Sequence, residues 1–337
     1  MILAIKIGKL LDCYGAKKVT LIGLSMMLVA LAIPILLPNM ESLFISQILM
    51  GLGQTSALLS LTKAVGNSSG SRDKLIAQFS LAGALGELTG PLIGGFGYEF
   101  FGFQMSFALN AAIIFISLII GLTFWKDSHP KLNANSSKKS VNSLRLLSDK
   151  SLRNTLIISG LVVYSKDLFI AYIPIYANQI GLTASTVGIV LSLMAGTAIM
   201  IRLLHFWLVD NYGRNNVLTT TLIISGLAFI LIYLATSPML LFLSAGLVGI
   251  GLGLGQPISI VFVMEMTSKA QQGEVLGIRL VINRGLQFVA PLIFGGIGGI
   301  AGLSTIFWVS GGTLLFGAFM SRNLSLAPAK INDLNSD

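Results

Sequence analysis

One short polar turn occurs twice in this chain, each time between apolar segments. Residues 8–19 read GKLLDCYGAKKV, and residues 206–217 read FWLVDNYGRNNV. Asp12 and Gly15 of the first copy correspond to Asp210 and Gly213 of the second, 198 residues later. An Asp-x-x-Gly turn is common in any protein. Two copies at matching places between apolar runs instead indicate a duplicated chain.

The composition is that of a membrane protein. Of the 337 residues, 54% are hydrophobic and only 10% are charged, whereas a soluble domain carries about 25% charged residues. The net charge of +9 could suggest nucleic acid as a partner. However, the basic residues lie between apolar runs rather than on one amphipathic face, so a lipid bilayer is the expected partner and nucleic acid is not.

Apolar runs long enough to cross a bilayer as helices recur along the whole chain. They predict an all-α membrane protein with about ten complete transmembrane helices. The predicted spans are Val19–Leu37, Leu43–Val65, Leu75–Phe100, Met105–Trp125, Leu156–Asn178, Ser185–Phe206, Val217–Ala235, Leu240–Met264, Val275–Ile300 and Ser304–Met320.

Lys and Arg occur in every second connection between these spans, and the alternate connections contain neither. The positive-inside rule places the basic connections in the cytoplasm. The sequence therefore predicts a multi-pass inner-membrane protein with both termini cytoplasmic. The predicted divisions are an N-terminal half at 1–125, a cytoplasmic linker at 126–153, a C-terminal six-helix half at 154–321 and a cytoplasmic tail at 322–337.

A second pair of matching stretches extends the repeat. GPLIGG begins at Gly90 and APLIFGG begins at Ala290, which aligns Pro91 with Pro291 at an offset of 200. Six spans follow the linker, but only four and the end of another precede it. We therefore expect the first span and most of the second to be missing from this chain, and a non-functional or partner-dependent fragment is one alternative.

These motifs resemble two signatures of the major facilitator superfamily. The family's loop signature, Gly-x-Leu-Ala-Asp-Arg-x-Gly-Arg-Lys, is matched by Gly8, Leu10, Asp12, Gly15 and Lys17, and its second copy by Asp210, Gly213 and Arg214. The family's fifth-span signature is matched by Gly86, Gly90, Pro91, Gly94 and Gly95. The resemblance implies two pseudo-symmetric halves around a central cavity. Cys13 and Ala16 stand where the loop signature has basic residues.

The loop residues are predicted to form a gate. A carboxylate just past a helix end, such as Asp12, can accept hydrogen bonds from N–H groups at a neighbouring helix N-terminus or from a basic side chain. Such a contact exists only while the halves are close on that side, so it acts as a latch. A plain polar turn is the alternative.

Gly86, Gly90 and Gly94 are spaced by four residues and so line one helix face. A row of glycines lets another helix approach closely, and Pro91 can kink the helix. By resemblance, this face lies at the interface between halves and is associated with antiporters. Ordinary packing of small residues is the alternative.

Polar residues at mid-depth in the spans are the candidate substrate and proton site. A charge there costs about 2.5–3.5 kcal/mol on insertion scales, so a partner, water or a function is expected. The candidates are Glu87, Lys166, Asp167, Arg284 and Gln287, with structural pairing as the alternative. Other charged residues lie near the basic ends of spans, where snorkelling to the membrane surface is expected: Lys6, Lys63, Arg202, Glu265 and Arg279.

The sequence offers little for other chemistry. His129 and His205 form no metal-binding or catalytic cluster, and no Walker loop occurs, so neither an enzyme nor an ATP-driven pump is expected. No cofactor or metal is predicted. The expected activity is proton-coupled export of a small amphiphilic or weakly polar molecule by a monomer working by alternating access. Uptake of a metabolite is the alternative. Gln47 stands where proton-linked members of the family often have Arg, so one usual route of proton coupling is not expected here.

Overall fold

The computed structural model describes residues 7, 11, 14–66, 72–125, 149–234, 237–267 and 272–322. The described part of the chain is helical and contains no β-strand. Two compact units, Met1–Ser137 and Lys138–Asp337, make up the chain. The predicted domain boundaries within the linker and tail remain predictions, because residues 126–148 and 323–337 lie outside the described residues.

The first unit contains three described helices, and the second contains eight. In the first they are α1 (Ala16–Leu36), α2 (Met40–Gly66) and α3 (Arg72–Phe124). In the second they are α4 (Lys150–Gln179), α5 (Ala184–Leu203), α6 (His205–Tyr212), α7 (Arg214–Tyr233), α8 (Pro238–Gly253), α9 (Gly255–Glu265), α10 (Gln272–Ala301) and α11 (Leu303–Arg322).

Nine segments in the described residues are long and apolar enough to cross a membrane. One of them, Gln78–Phe124, has 47 residues and would extend over about 70 Å, more than twice the thickness of the hydrocarbon core. Gly102 interrupts it with a φ of 77° and a ψ of −179°. Its two arms are the two spans predicted at Leu75–Phe100 and Met105–Trp125, so the prediction of about ten spans is confirmed.

Side chains cap the first two described helices of the second unit. Asp149 accepts from the N–H groups of Ser151 and Leu152 at 2.7 and 3.0 Å and so starts α4. Thr183 accepts from the N–H of Thr186 at 3.4 Å at the start of α5. Each cap satisfies N–H groups that the first turn of a helix cannot bond internally.

Small residues let the helices of the first unit pack closely. A Cβ added at Gly23 in α1 would lie 2.7 Å from the carbonyl oxygen of Gly53 in α2, and one added at Gly53 would lie 2.6 Å from that of Gly23. Thr20 and Ser60 share a buried hydroxyl contact of 2.6 Å across the same pair. Van der Waals packing and hydrogen bonds between helices therefore hold α1 on α2, as is general within lipid.

The second unit has a continuous apolar core, to which all its long helices contribute. Phe169, Phe229 and Phe307 are fully buried in it, and Phe169 meets Phe229 edge-on at 6.1 Å between ring centroids. Glycine again marks the closest approach, because a Cβ at Gly249 in α8 would lie 2.1 Å from the carbonyl oxygen of Met194 in α5.

Glycines with positive φ reveal the internal repeat in the backbone itself. Gly15 precedes α1 with φ 81° and ψ 162°, and Gly213 precedes α7 with φ 78° and ψ 147°. These are the equivalent positions of the two copies of the polar turn. Gly102 and Gly302, which are 200 residues apart, also have positive φ, at 77° and 89°. The backbone at these four turns thus follows the duplication that the sequence indicated.

We expect Gly213→Ala to destabilise the protein by about 1–3 kcal/mol, because side chains other than glycine's are strained in this backbone region. The measurement is the apparent melting temperature of the detergent-solubilised protein. Gly312→Ala is the matched control, since Gly312 lies inside α11 with open space around its Cα and alanine favours the helix. Equal melting temperatures for the Gly213 variant and the parent would contradict the strain argument.

Candidate functional site

Three of the five mid-depth candidates form one hydrogen-bonded network in the second unit. The side-chain amide of Gln287 donates from Nε2 to Oδ2 of Asp167 at 2.5 Å. Its carbonyl oxygen, Oε1, accepts from Nη1 of Arg284 at 2.9 Å. Arg284 and Gln287 are three residues apart on α10, so they lie on the same helix face. Gln287 therefore bridges a carboxylate and a guanidinium.

This network lies well inside the spans that carry it. Asp167 precedes the end of α4 by 12 residues, and Arg284 follows the start of α10 by 12 residues. Each residue is therefore about 18 Å from that helix end at 1.5 Å per residue. At such depth ionised groups are rare and face a partner or a water-filled cavity, and here the amide of Gln287 supplies a partner to both.

Polar contacts along α4 and α10 fix the position of the network. Ser159 donates to Oδ1 of Asn283 at 3.2 Å, and the Tyr172 hydroxyl donates to the carbonyl of Pro291 at 3.1 Å. The bond between Asp167 and Gln287 lies between these two contacts along the helices. The paired residues advance together along both helices, so α4 and α10 run parallel here and hold the network in register.

The remaining mid-depth candidates are Lys166 and Glu87. Lys166 is half-buried beside Asp167 on α4, and adjacent residues project about 100° apart around a helix. Glu87 is exposed on α3 in the other unit. Their roles in binding substrate or protons stay predictions.

The glycine row of α3 presents an open face within its own unit. Among the described residues of that unit, no heavy atom lies within 4 Å of a Cβ placed on Gly86, Gly90 or Gly94. Pro91 lies within the helix without ending it. The predicted helix-interface role of this motif, including Gly95, remains a prediction.

The second copy of the predicted gating loop contains an ion pair. Arg214, the first residue of α7, pairs through Nη1 with Oε2 of Glu265, the last residue of α9. The Arg214 guanidinium carbon also lies 5.8 Å from the centre of the Phe262 ring. Asp210 is exposed at the end of α6. Of the first copy, Gly15 and Lys17 flank the start of α1, while Gly8 and Asp12 lie outside the described residues.

Two of the residues that were expected to snorkel, Glu265 and Arg279, have partners within the protein. Glu265 binds Arg214, as described above. Arg279 is only 9% exposed and donates from Nη2 to the hydroxyl of Ser259 at 2.9 Å. The sequence shows a charge near a span end in each case, but only the packing of α7, α9 and α10 reveals the groups that these two side chains bind.

His205 lies beside the second gating loop, at the start of α6. Its Nδ1 is buried without a hydrogen-bond partner in the described structure. Burial lowers the pKa of His205 below its usual value, and the positive charge of Arg214 lowers it further. The neutral imidazole is therefore the form that the folded state favours.

We expect the protein to lose stability as the pH falls below about 6.5, the ordinary histidine pKa, towards the lower pKa of His205 in the folded state. Within that range protonation increasingly favours the unfolded chain, because the folded state disfavours the charged imidazole. His205→Gln should remove part of this loss, measured as the difference in apparent melting temperature between pH 7.5 and pH 5. His129→Gln, at the other of the two histidines, is the control, and an equal effect of both variants would contradict the assignment.

Comparison with known families gives matches over nearly the whole chain. The model of the Major Facilitator Superfamily matches residues 1–204 and 155–332. Among solved structures, the peptide transporter POT is similar with a TM-score of 0.79 at 16% identity, over 95% of this chain and 82% of that one. The nucleoside transporter NupG is similar with a TM-score of 0.77 at 18% identity, over 96% and 87%. At these identities the likeness concerns the fold.

Curated relatives include named efflux proteins. The multi-drug resistance efflux pump PmrA of Streptococcus pneumoniae is 25% identical over 67% of this chain and 57% of its own length. The multidrug resistance protein MdtG of Salmonella arizonae is 24% identical over 74% of this chain and 63% of its own. The chain thus spans less than two thirds of the length of these relatives.

Proposed function

Because this chain belongs to the Major Facilitator Superfamily, we propose that it is a secondary transporter that exports a small amphiphilic or weakly polar molecule in exchange for protons. Export is supported by relatives named as multidrug efflux proteins. The family is one of transporters rather than enzymes. The proposal includes a monomer that works by alternating access in the inner membrane.

The observation that carries the proposal is the network of Asp167, Gln287 and Arg284. A carboxylate deep in a membrane span is a site at which a proton can be loaded and released. Gln287 donates to one oxygen of this carboxylate and accepts from Arg284. Protonating Asp167 would remove the charge that the amide stabilises and weaken the contact, which would loosen α4 from α10 at this point.

The same network offers a way to couple the proton to the substrate. A weakly polar substrate that donates a hydrogen bond could replace Gln287 at Asp167, and one that accepts could replace it at Arg284. A proton on Asp167 would compete with the first of these. Substrate and proton would then exclude each other at one carboxylate, which is the requirement for exchange.

We expect Asp167→Asn to bind the substrate more weakly and to lose the dependence of transport on the proton gradient, because asparagine, like a protonated Asp167, carries no charge and cannot exchange a proton. The measurement is ethidium transport in vesicles with and without an imposed pH difference. Glu87→Gln is the parallel variant, since Glu87 is the other mid-depth carboxylate predicted from the sequence.

The comparison of the two variants decides which carboxylate carries the proton. A response to the gradient that survives in Asp167→Asn and is lost in Glu87→Gln would move the role to Glu87. Gln287→Met removes the bridge but keeps both charges, and should lower transport about tenfold, as the loss of hydrogen bonds to charged groups predicts. Gln179→Met, at the exposed end of α4, is its control.

We further propose that the termini and the linker at 126–153 are cytoplasmic. The basic connections support this orientation. Within the described residues, Lys150 and Arg214 begin α4 and α7, and Arg322 ends α11. Because successive spans cross the membrane in opposite directions, these three helix ends lie on one side of the membrane. Met239, near the start of α8, lies on the opposite side.

We expect a cysteine at Ser137→Cys to resist a membrane-impermeant maleimide on intact cells and to react after the cells are opened. Cys13, the single cysteine of the chain, is first replaced by serine. Met239→Cys is the control and should react on intact cells, because Met239 is 81% exposed at the opposite end. The reverse pattern of labelling would invert the topology.

A further inference from the structure

The span formed by α8 and α9 is interrupted at Leu254, and the cause is in its sequence. In a continuous helix the N–H of residue 257 would donate to the carbonyl of Gly253. Residue 257 is proline, which has no N–H. The Gly253 carbonyl, the last of α8, is thereby left without its helical donor. Inside a membrane an unsatisfied carbonyl is costly, because lipid offers no replacement.

Arg202 of α5 supplies the missing donor. Its Nε donates to the Gly253 carbonyl at 3.0 Å. The approach depends on the glycine itself, because a Cβ at Gly253 would lie 2.6 Å from Cγ2 of Ile201 and 3.0 Å from the carbonyl oxygen of Ala198. Arg202 lies two residues before Leu204, where the helix of α5 also ends before α6. The bond therefore joins the interruption between α8 and α9 to the end of the neighbouring span.

We infer that Arg202 is a positioning residue that replaces the main-chain donor removed by Pro257, and that the joint between α8 and α9 is a hinge kept intact by this one side chain. Leu254 has φ −96° and ψ −18°, so the joint departs only slightly from a helix. The joint can bend without leaving the Gly253 carbonyl unbonded, as long as the Arg202 side chain moves together with Gly253. This role is independent of the transported substrate and of the coupling ion.

The test uses the four combinations of Arg202→Ala and Pro257→Ala in the full chain. Alanine at 257 restores an N–H close to the Gly253 carbonyl. With Pro257 present, Arg202→Ala should raise amide hydrogen exchange in peptides covering residues 251–258 by about three- to tenfold, the effect of losing one hydrogen bond. It should also lower the apparent melting temperature. With alanine at 257 both effects should largely vanish.

Pro257→Ala alone should slow exchange at the joint, because it closes the gap in the helix. Arg153→Ala, at an exposed arginine near the start of α4, is the control. Its effects on hydrogen exchange and on the melting temperature should be the same with proline and with alanine at position 257. Pro257→Ser supplies the same N–H and replaces the alanine variant if that one is not recovered.

Two results would overturn the inference. Equal effects of Arg202→Ala with proline and with alanine at 257 would mean that Arg202 acts through its charge or its packing. Exchange at the joint that is no slower after Pro257→Ala would mean that the proline does not create the hinge. Neither readout requires transport, so the inference is tested even if the proposed export is absent.

Discussion

The need to satisfy every backbone polar group without water governs this structure. Within lipid, a helix meets the need by itself, and any interruption must find a donor or acceptor nearby. At Gly253 the donor is the Arg202 side chain. At the start of α4 the acceptor is the Asp149 carboxylate. The turns at Gly15 and Gly213 use a backbone conformation that glycine adopts without strain.

Side-chain hydroxyls follow the same rule. Ser60 and Ser225 are buried in helices, and each donates to the carbonyl four residues earlier at 2.7 Å. A serine hydroxyl can thus be bonded within its own helix, while its small size permits close approach. Ser60 in addition contacts Thr20 on α1. This combination lets α1 pack on α2 and α8 pack on its neighbours with few long side chains between them.

The duplication has kept the backbone and changed the charges. Gly15 and Gly213 share their conformation, yet Ala16 stands at the position that corresponds to Arg214. The ion pair with Glu265 therefore uses an arginine that the first copy lacks. Similarly, Glu87 corresponds by the repeat to Gln287, which bonds to Asp167. The two halves share a scaffold while their polar groups have diverged.

The sequence alone determined the class of protein, the number of spans, the repeat and most of the candidate residues. These follow from composition, from apolar length and from glycines at fixed spacing, each of which is a property of the chain rather than of its folding. The sequence also singled out Asp167, Arg284 and Gln287 by their depth. It could not show that Gln287 lies between the other two, because the direction of a side chain depends on how α4 packs against α10.

Only the tertiary structure decided the partners of the charges. Arg202, Glu265 and Arg279 look alike in sequence, as charged residues near the ends of apolar runs. Their bonding partners depend on which groups of neighbouring helices lie within about 3 Å, the reach of a hydrogen bond. Pro257 could have indicated an unbonded carbonyl at Gly253 from sequence, but the arginine that bonds it lies 51 residues away and is brought there by packing at glycine.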